Sequence, residues 1–290
     1  MSTRKSIVSV KRDIPGHWVG DGFPVRSLFS YGSDAARIDP FLLLDYAGPH
    51  EFAPAKAPRG VGEHPHRGFE TVTIVYQGEL EHRDSSGAHG TIGAGDVQWM
   101  TAASGLVHEE FHSERFARDG GVLEMVQLWV NLRAADKPTL PRYQEIRSSD
   151  IPTVSLEGGA GTARVIAGEL QGVVGPAKAF TPVNVWDLRL KAGAVSTLSL
   201  PAGHTAMAVV QKGRVTLNDG TAMGGVELAI FDRDGSTIQI ESRTDAVVLL
   251  LSGEPLNEPV VGQGPFVMNT TDEIRQAIVD YQAGRIGRLA

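Results

Sequence analysis

The chain contains no cysteine. That excludes a disulfide framework, a thiolate metal site and a thiol redox switch, and it fits a reducing compartment. Long hydrophobic runs are missing too. The longest, Ala246 to Leu251, is far too short to cross a bilayer. The first residues lack the apolar stretch of a signal peptide. A cytoplasmic location with no membrane partner is the expectation. Positive charge is not in excess: 27 Lys and Arg stand against 34 Asp and Glu, a net charge of −7. This argues against a broad nucleic-acid surface, and Arg4, Lys5, Lys11 and Arg12 are too sparse to supply one. Helical periodicity is nearly absent before the last twenty residues.

What the chain has is punctuation. Its 34 glycines and 16 prolines separate short runs rich in Val, Ile, Leu, Thr and Phe, such as 41–44, 71–76, 122–132, 183–190, 206–210 and 246–251. That rhythm predicts an all-β fold of sandwich or barrel type. Residues 48–62, with several glycines and prolines, read as a loop. The length of 290 residues suits two domains. The polar, proline-bearing stretch 133–142 marks a boundary, giving domains at 1–135 and 136–290. A faint echo links them: Pro201-Ala202-Gly203-His204 before an apolar strand and Gln211-Lys212-Gly213 parallels His64–His66, the 71–76 strand and Gln77-Gly78. From Thr270 the spacing of Ile274, Ala277, Ile278 and Tyr281 predicts a helix. Thr270 and Glu273 form its capping box and Gly284 its stop.

The chemistry concentrates in His64-Pro65-His66 and in His108-Glu109-Glu110. Residues two apart on a strand share a face, so His64 pairs with His66 and His108 with Glu110. Two such strands together offer three imidazoles and a carboxylate, a ligand set for a divalent transition metal with open positions. The alternative is a hydrogen-bonded polar cluster at a barrel mouth, but burying that many imidazoles without a cation strands polar groups. Glu70 shares parity with His64 and His66, so parity leaves Glu70 and Glu110 as rival ligands. His17, His50, His82, His89 and His204 have no same-face partner of metal-binding type and read as surface or structural residues. His112 reads as a supporting or surface residue.

Six stretches together resemble the pirins, a bicupin group of the cupin superfamily. They are His-Pro-His-Arg-Gly-Phe-Glu-Thr-Val at 64–72, Gly-Asp-Val-Gln-Trp-Met-Thr-Ala at 95–102, Gly-Leu-Val-His-Glu-Glu at 105–110, Asp39–Asp45, Leu128–Leu132 and Gly264–Thr270. The resemblance implies two tandem cupin barrels (double-stranded β-helix or jelly-roll) with a short C-terminal helix and metal in the first barrel only. The family's ligands map onto His64, His66, His108 and Glu110. That selects Glu110, whereas the general cupin pattern would select Glu70. It implies non-haem Fe(II), although such ligands also suit Mn, Co, Ni, Cu and Zn. Several bacterial members resemble quercetin 2,3-dioxygenases. The implied reaction is cleavage of a flavonol such as quercetin by O2, with Glu110 taking the substrate proton and Phe41, Leu43, Trp99 and Met100 as pocket walls. A human member is a nuclear protein acting with transcription factors, so the alternative is a metal-binding, redox-sensitive regulator with a protein partner. A monomer is expected.

Overall fold

The computed structural model describes residues 3–218 and 220–289. Antiparallel strands joined by tight turns dominate it, as the all-β expectation requires, and the longest helix, Thr271–Gln282, comes last. No helix of the described residues is long and apolar enough to cross a membrane.

The chain forms two compact units, but not by a single cut between residues 135 and 136. One unit joins Met1–Ile14, Ala36–Pro40 and Ser149–Leu256; the other joins Pro15–Ala35, Phe41–Ser148 and Asn257–Ala290. The reason is edge pairing. The strand Ile7–Lys11 hydrogen-bonds along Glu227–Phe231, which would otherwise present an open sheet edge. The last residues in turn pack on the histidine-bearing unit.

In that unit a seven-stranded sheet runs in the order Arg142–Ile146, Val97–Thr101, Phe69–Gln77, Gly121–Asn131, Phe41–Phe52, Phe23–Ser30, Gly16–Val19. A four-stranded sheet runs Gly60–His66, Leu106–His112, Glu79–Asp84, His89–Gly93. The other unit repeats the pattern. Its seven strands run Ile7–Lys11, Glu227–Phe231, Thr205–Lys212, Ala246–Gly253, Val183–Leu190, Gly161–Ala167, Thr153–Ser155, and its four run Val195–Ser199, Thr237–Ser242, Val215–Leu217, Thr221–Met223. The sequence-order pattern matches at every strand but one edge, where Ile7–Lys11 comes first among the strands of its unit's two sheets and Arg142–Ile146 last among those of the other's, and it bears out the internal duplication. Where the first barrel carries His64, His66, His108 and Glu110, the equivalent strands of the second carry Leu198, Ile238 and Ile240 in a closed apolar core.

Residues 48–62 are less of a loop than expected. The strand from Phe41 continues to Phe52 and the next begins at Gly60, because Gly121–Leu123 pairs along the extension. Two short helices went unanticipated, Tyr31–Ile38 and Glu114–Asp119; Ser113 caps the second, its Oγ accepting the Phe116 N–H at 3.0 Å. The tail helix has its capping box as expected, and Gly284 follows it at φ +67°. Its buried face, Ile274 and Ala277, joins Val107, Phe266, Met268 and Ile286. Asp280 accepts from Arg67 at 2.6 Å, tying the tail to the residue after His66.

Candidate metal centre

Strand register builds the centre. Leu106–His112 pairs with Gly60–His66 so that His108 lies opposite His64 and Leu106 opposite His66, with a bulge before Glu110. The three imidazoles turn inward together. Ring centroids are 4.9 Å apart for His64 and His66, 4.2 Å for His64 and His108, and 4.8 Å for His66 and His108. One ring nitrogen from each lies within 4.8 Å of the others. His66 and His108 are buried, while His64 stands partly exposed at the rim.

Burial pushes the His66 ring well below the usual imidazole range and the neighbouring His64 adds to this, against a contact with the Pro265 backbone. Burial does the same to His108, followed by the fields of His66, His64 and His82. Both rings are therefore neutral and hold a lone pair at physiological pH. His64 Nδ1 lies 2.8 Å from the Gly62 carbonyl, an acceptor, so Nδ1 donates and Nε2 is the nitrogen left for a metal. His108 Nε2 and His66 Nδ1 are buried without a hydrogen-bond partner. Stranded polar atoms of this kind cost about 1–3 kcal/mol each. Converging, neutral, unsatisfied imidazole nitrogens fit a divalent transition metal in both chemistry and number.

Glu110 sits deeper than parity alone suggested. Its carboxylate groups with His108 and His82 rather than with the whole His64–His66–His108 set. Three side chains of the seven-stranded sheet hold it: Thr73 Oγ1 and Gln98 Nε2 donate to Oε1 at 3.4 and 3.3 Å, and Gln127 Nε2 to Oε2 at 3.0 Å. These donors lie in one row, because Thr73 pairs with Gln98 on one side and Gln127 on the other. Asp45 and Ser27 extend the row across two more strands. The rival Glu70 is fully buried elsewhere, accepting from Thr101 Oγ1 at 2.7 Å with Arg142 at 3.9 Å.

The next row toward His66 is apolar but for Thr71: Met100, Thr71, Trp129 and Leu43 are successive cross-strand neighbours. Trp129 stacks on Phe69 at 4.3 Å and meets His66 at 5.3 Å. Leu43, Gln127 and Trp129 are half-buried although they face inward, so solvent enters here. Of the four expected pocket walls, Leu43 and Met100 lie on this face. Trp99 pairs with Val72, and Phe41 with Val130, on the opposite one.

His82 overturns its reading as a residue without a same-face partner. It is buried, its Nε2 lies 3.0 Å from Asp84 Oδ2, and its Nδ1 lies 3.3 Å from His108 Nδ1. Its ring stacks on Tyr143 at 4.9 Å. The signal was present as His82-x-Asp84, a same-face pair on a short strand. His112 is neither at the surface nor at the centre. It is buried among Phe23, Phe52 and Phe116, with Nε2 at 2.9 Å from the Gly22 carbonyl. His17, His50 and His89 are exposed. His204 is partly buried in the second barrel, and no other histidine joins it there.

Comparison with known proteins places these residues in context. Residues 22–130 match the model of the Pirin family, and residues 185–287 match that of the Pirin C-terminal cupin domain. A Pseudomonas aeruginosa protein provisionally named a quercetin 2,3-dioxygenase is 56% identical over 284 residues, covering 98% of this chain and 99% of that one. Pirin of Homo sapiens is 38% identical over 256 residues, covering 86% and 83%. A solved structure named quercetin 2,3-dioxygenase, from Acinetobacter baumannii, superposes with a TM-score of 0.96 at 50% identity, covering 99% of this chain and all of that one.

Proposed function

The chain belongs to the pirin family, and from that premise we propose that its first barrel is a metal-dependent dioxygenase acting on a flavonol such as quercetin. The observation that carries this reading is the convergence of three imidazoles, two of them buried, neutral and with stranded nitrogens. The relatives named as quercetin 2,3-dioxygenases supply the substrate class.

His64, His66, His108 and Glu110 would hold the ion, for which Fe(II) is the first candidate. A bound divalent metal would supply oxygen chemistry and acidify a substrate hydroxyl. The protein does the rest. The half-buried row of Leu43 and Trp129, with Met100, offers flat apolar walls to an aromatic substrate entering beside His64. Thr73, Gln98 and Gln127 aim the Glu110 carboxylate, which would take the proton from a substrate hydroxyl delivered to the centre. The apolar walls and Phe69 restrict water around the reacting atoms.

Iron-loaded protein incubated with quercetin under oxygen should consume the flavonol's near-ultraviolet band with oxygen uptake. Metal bound stoichiometrically without turnover of any flavonol would sink this function. Stoichiometric metal retained by the double variant His64→Ala, His108→Ala would instead refute the ligand assignment.

A further inference from the structure

Resting on that metal reading, we propose that Asp84 and His82 form a hydrogen-bond relay that fixes His108 in the tautomer whose Nε2 is free for a metal. Both are thereby positioning residues of the centre.

Asp84 Oδ1 accepts from Ser86 N–H at 2.8 Å, Ser86 Oγ–H at 2.6 Å and Ala88 N–H at 3.3 Å. That turn fixes the carboxylate and directs Oδ2 at His82 Nε2, 3.0 Å away. A carboxylate only accepts, so His82 Nε2 carries a proton; the Gln98 amide N–H only donates, which requires the lone pair on His82 Nδ1. Two groups converge on that lone pair: Gln98 Nε2, an obligatory donor, at 3.4 Å, and His108 Nδ1 at 3.3 Å. His108 must therefore donate from Nδ1. Its Nε2, buried and unpartnered, keeps the lone pair and is left for an ion shared with His64 and His66.

The backbone enforces the alignment. His108 lies opposite Asp84, and Glu110 opposite His82, in the pairing of Leu106–His112 with Glu79–Asp84. Stacking on Tyr143, with ring planes 15° apart, prevents His82 from turning away. A different arrangement, an ion held among His82, His108 and Glu110, is geometrically near. The Gln98 amide nitrogen argues against it. It sits 3.3 Å from Glu110 Oε1 and 3.4 Å from His82 Nδ1, so a donor already fills the space a cation would need.

The test is Asp84→Asn, with Zn(II) as a diamagnetic probe. The Ser86 and Ala88 donors keep the side-chain oxygen at the Oδ1 position, so the amide NH2 faces His82 Nε2. The relay then reverses, and His108 is protonated on Nε2. Zn(II) affinity, measured by chelator competition, should fall about 10–100-fold. His82→Gln, whose oxygen can accept from His108 and whose amide can donate to Asp84, should stay within about threefold of wild type. A purely structural role for His82 would not give that rescue. In the wild-type zinc form, long-range 1H–15N NMR should show His108 protonated at Nδ1 and zinc-bound at Nε2. The proposal is overturned if Asp84→Asn binds as tightly as wild type, or if zinc sits on Nδ1 of His108 or His82. Should Asp84→Asn fail to fold, the wild-type spectrum decides alone. Wild-type protein that binds no zinc would refute the metal reading itself, a result distinct from loss of the relay alone.

Discussion

Lys137→Met is the perturbation with the clearest arithmetic. The Lys137 side chain is 1% exposed, and its ammonium donates to Gly68 O at 2.6 Å, Asn131 Oδ1 at 2.7 Å and Val267 O at 2.9 Å. It clamps the turn two residues after His66 to the segment leading into the tail helix. Burial lowers its pKa from 10.5 to about 8, against the fields of Glu258 and Glu273. That difference corresponds to roughly 3.4 kcal/mol of buried-charge cost that methionine would not bear. Against it stand three bonds from a charged donor, worth about 1.5–3 kcal/mol each. The bonds win, and a net destabilisation of roughly 3 kcal/mol is expected. Urea denaturation followed by tryptophan fluorescence measures it. The pH dependence has a definite sign. Between about pH 8 and 10.5 the unfolded chain holds the proton that the folded one has lost, so wild type gains stability as pH rises through that window. The methionine variant lacks this gain, so the gap between the two should widen from pH 8 to 10.5. A variant as stable as wild type at pH 7, or a gap that narrows with rising pH, would refute the reasoning.

The tail yields three more predictions. The Asp280 pKa is lowered to about 2 by its bond from Arg67 and, against burial, by Arg285 and Gln276, so its contribution is complete above the unfolded value near 3.8. The stability difference between wild type and Asp280→Asn should shrink as pH falls from 4 to 2, and a difference constant over that range would count against the pairing. Gly68 adopts φ +94°, and a Cβ there would lie 1.9 Å from Val267 O. Gly68→Ala should therefore cost at least about 2 kcal/mol in denaturant melts, through backbone strain and displacement of the tail. Thr270→Ala removes half of the capping box and should cost about 1 kcal/mol. An unchanged melting midpoint would show that the helix start is held by packing alone.

Strand parity made the three imidazoles legible because each pair is a local feature, two residues apart on one strand. What parity could not read was anything that needs register. His82 meets His108 only because Glu79–Asp84 pairs with Leu106–His112 at one particular offset. Thr73, Gln98 and Gln127 were invisible for a related reason. A neutral polar residue on a strand looks the same from sequence whether it faces water or supports a buried carboxylate. The domain division shows the same limit, since the partner of Ile7–Lys11 lies more than two hundred residues away. The second barrel was easier to read. Its lack of a ligand set was visible in the solitary His204, although the isoleucines that replace the ligands became evident only from the repeated strand order.

The strand Leu106–His112 serves two masters. Its even-numbered His108 and Glu110 look into the barrel, while Val107, the residue before His108, packs against Phe266, Ile274 and Ile286 of the tail. Alternation thus makes the strand a lever arm with the centre on one side and the chain's last helix on the other. An ion that ordered His108 would also restrain the strand on which the tail sits. The C-terminal segment is in this sense a gauge needle, and its protease sensitivity should report whether the centre is filled.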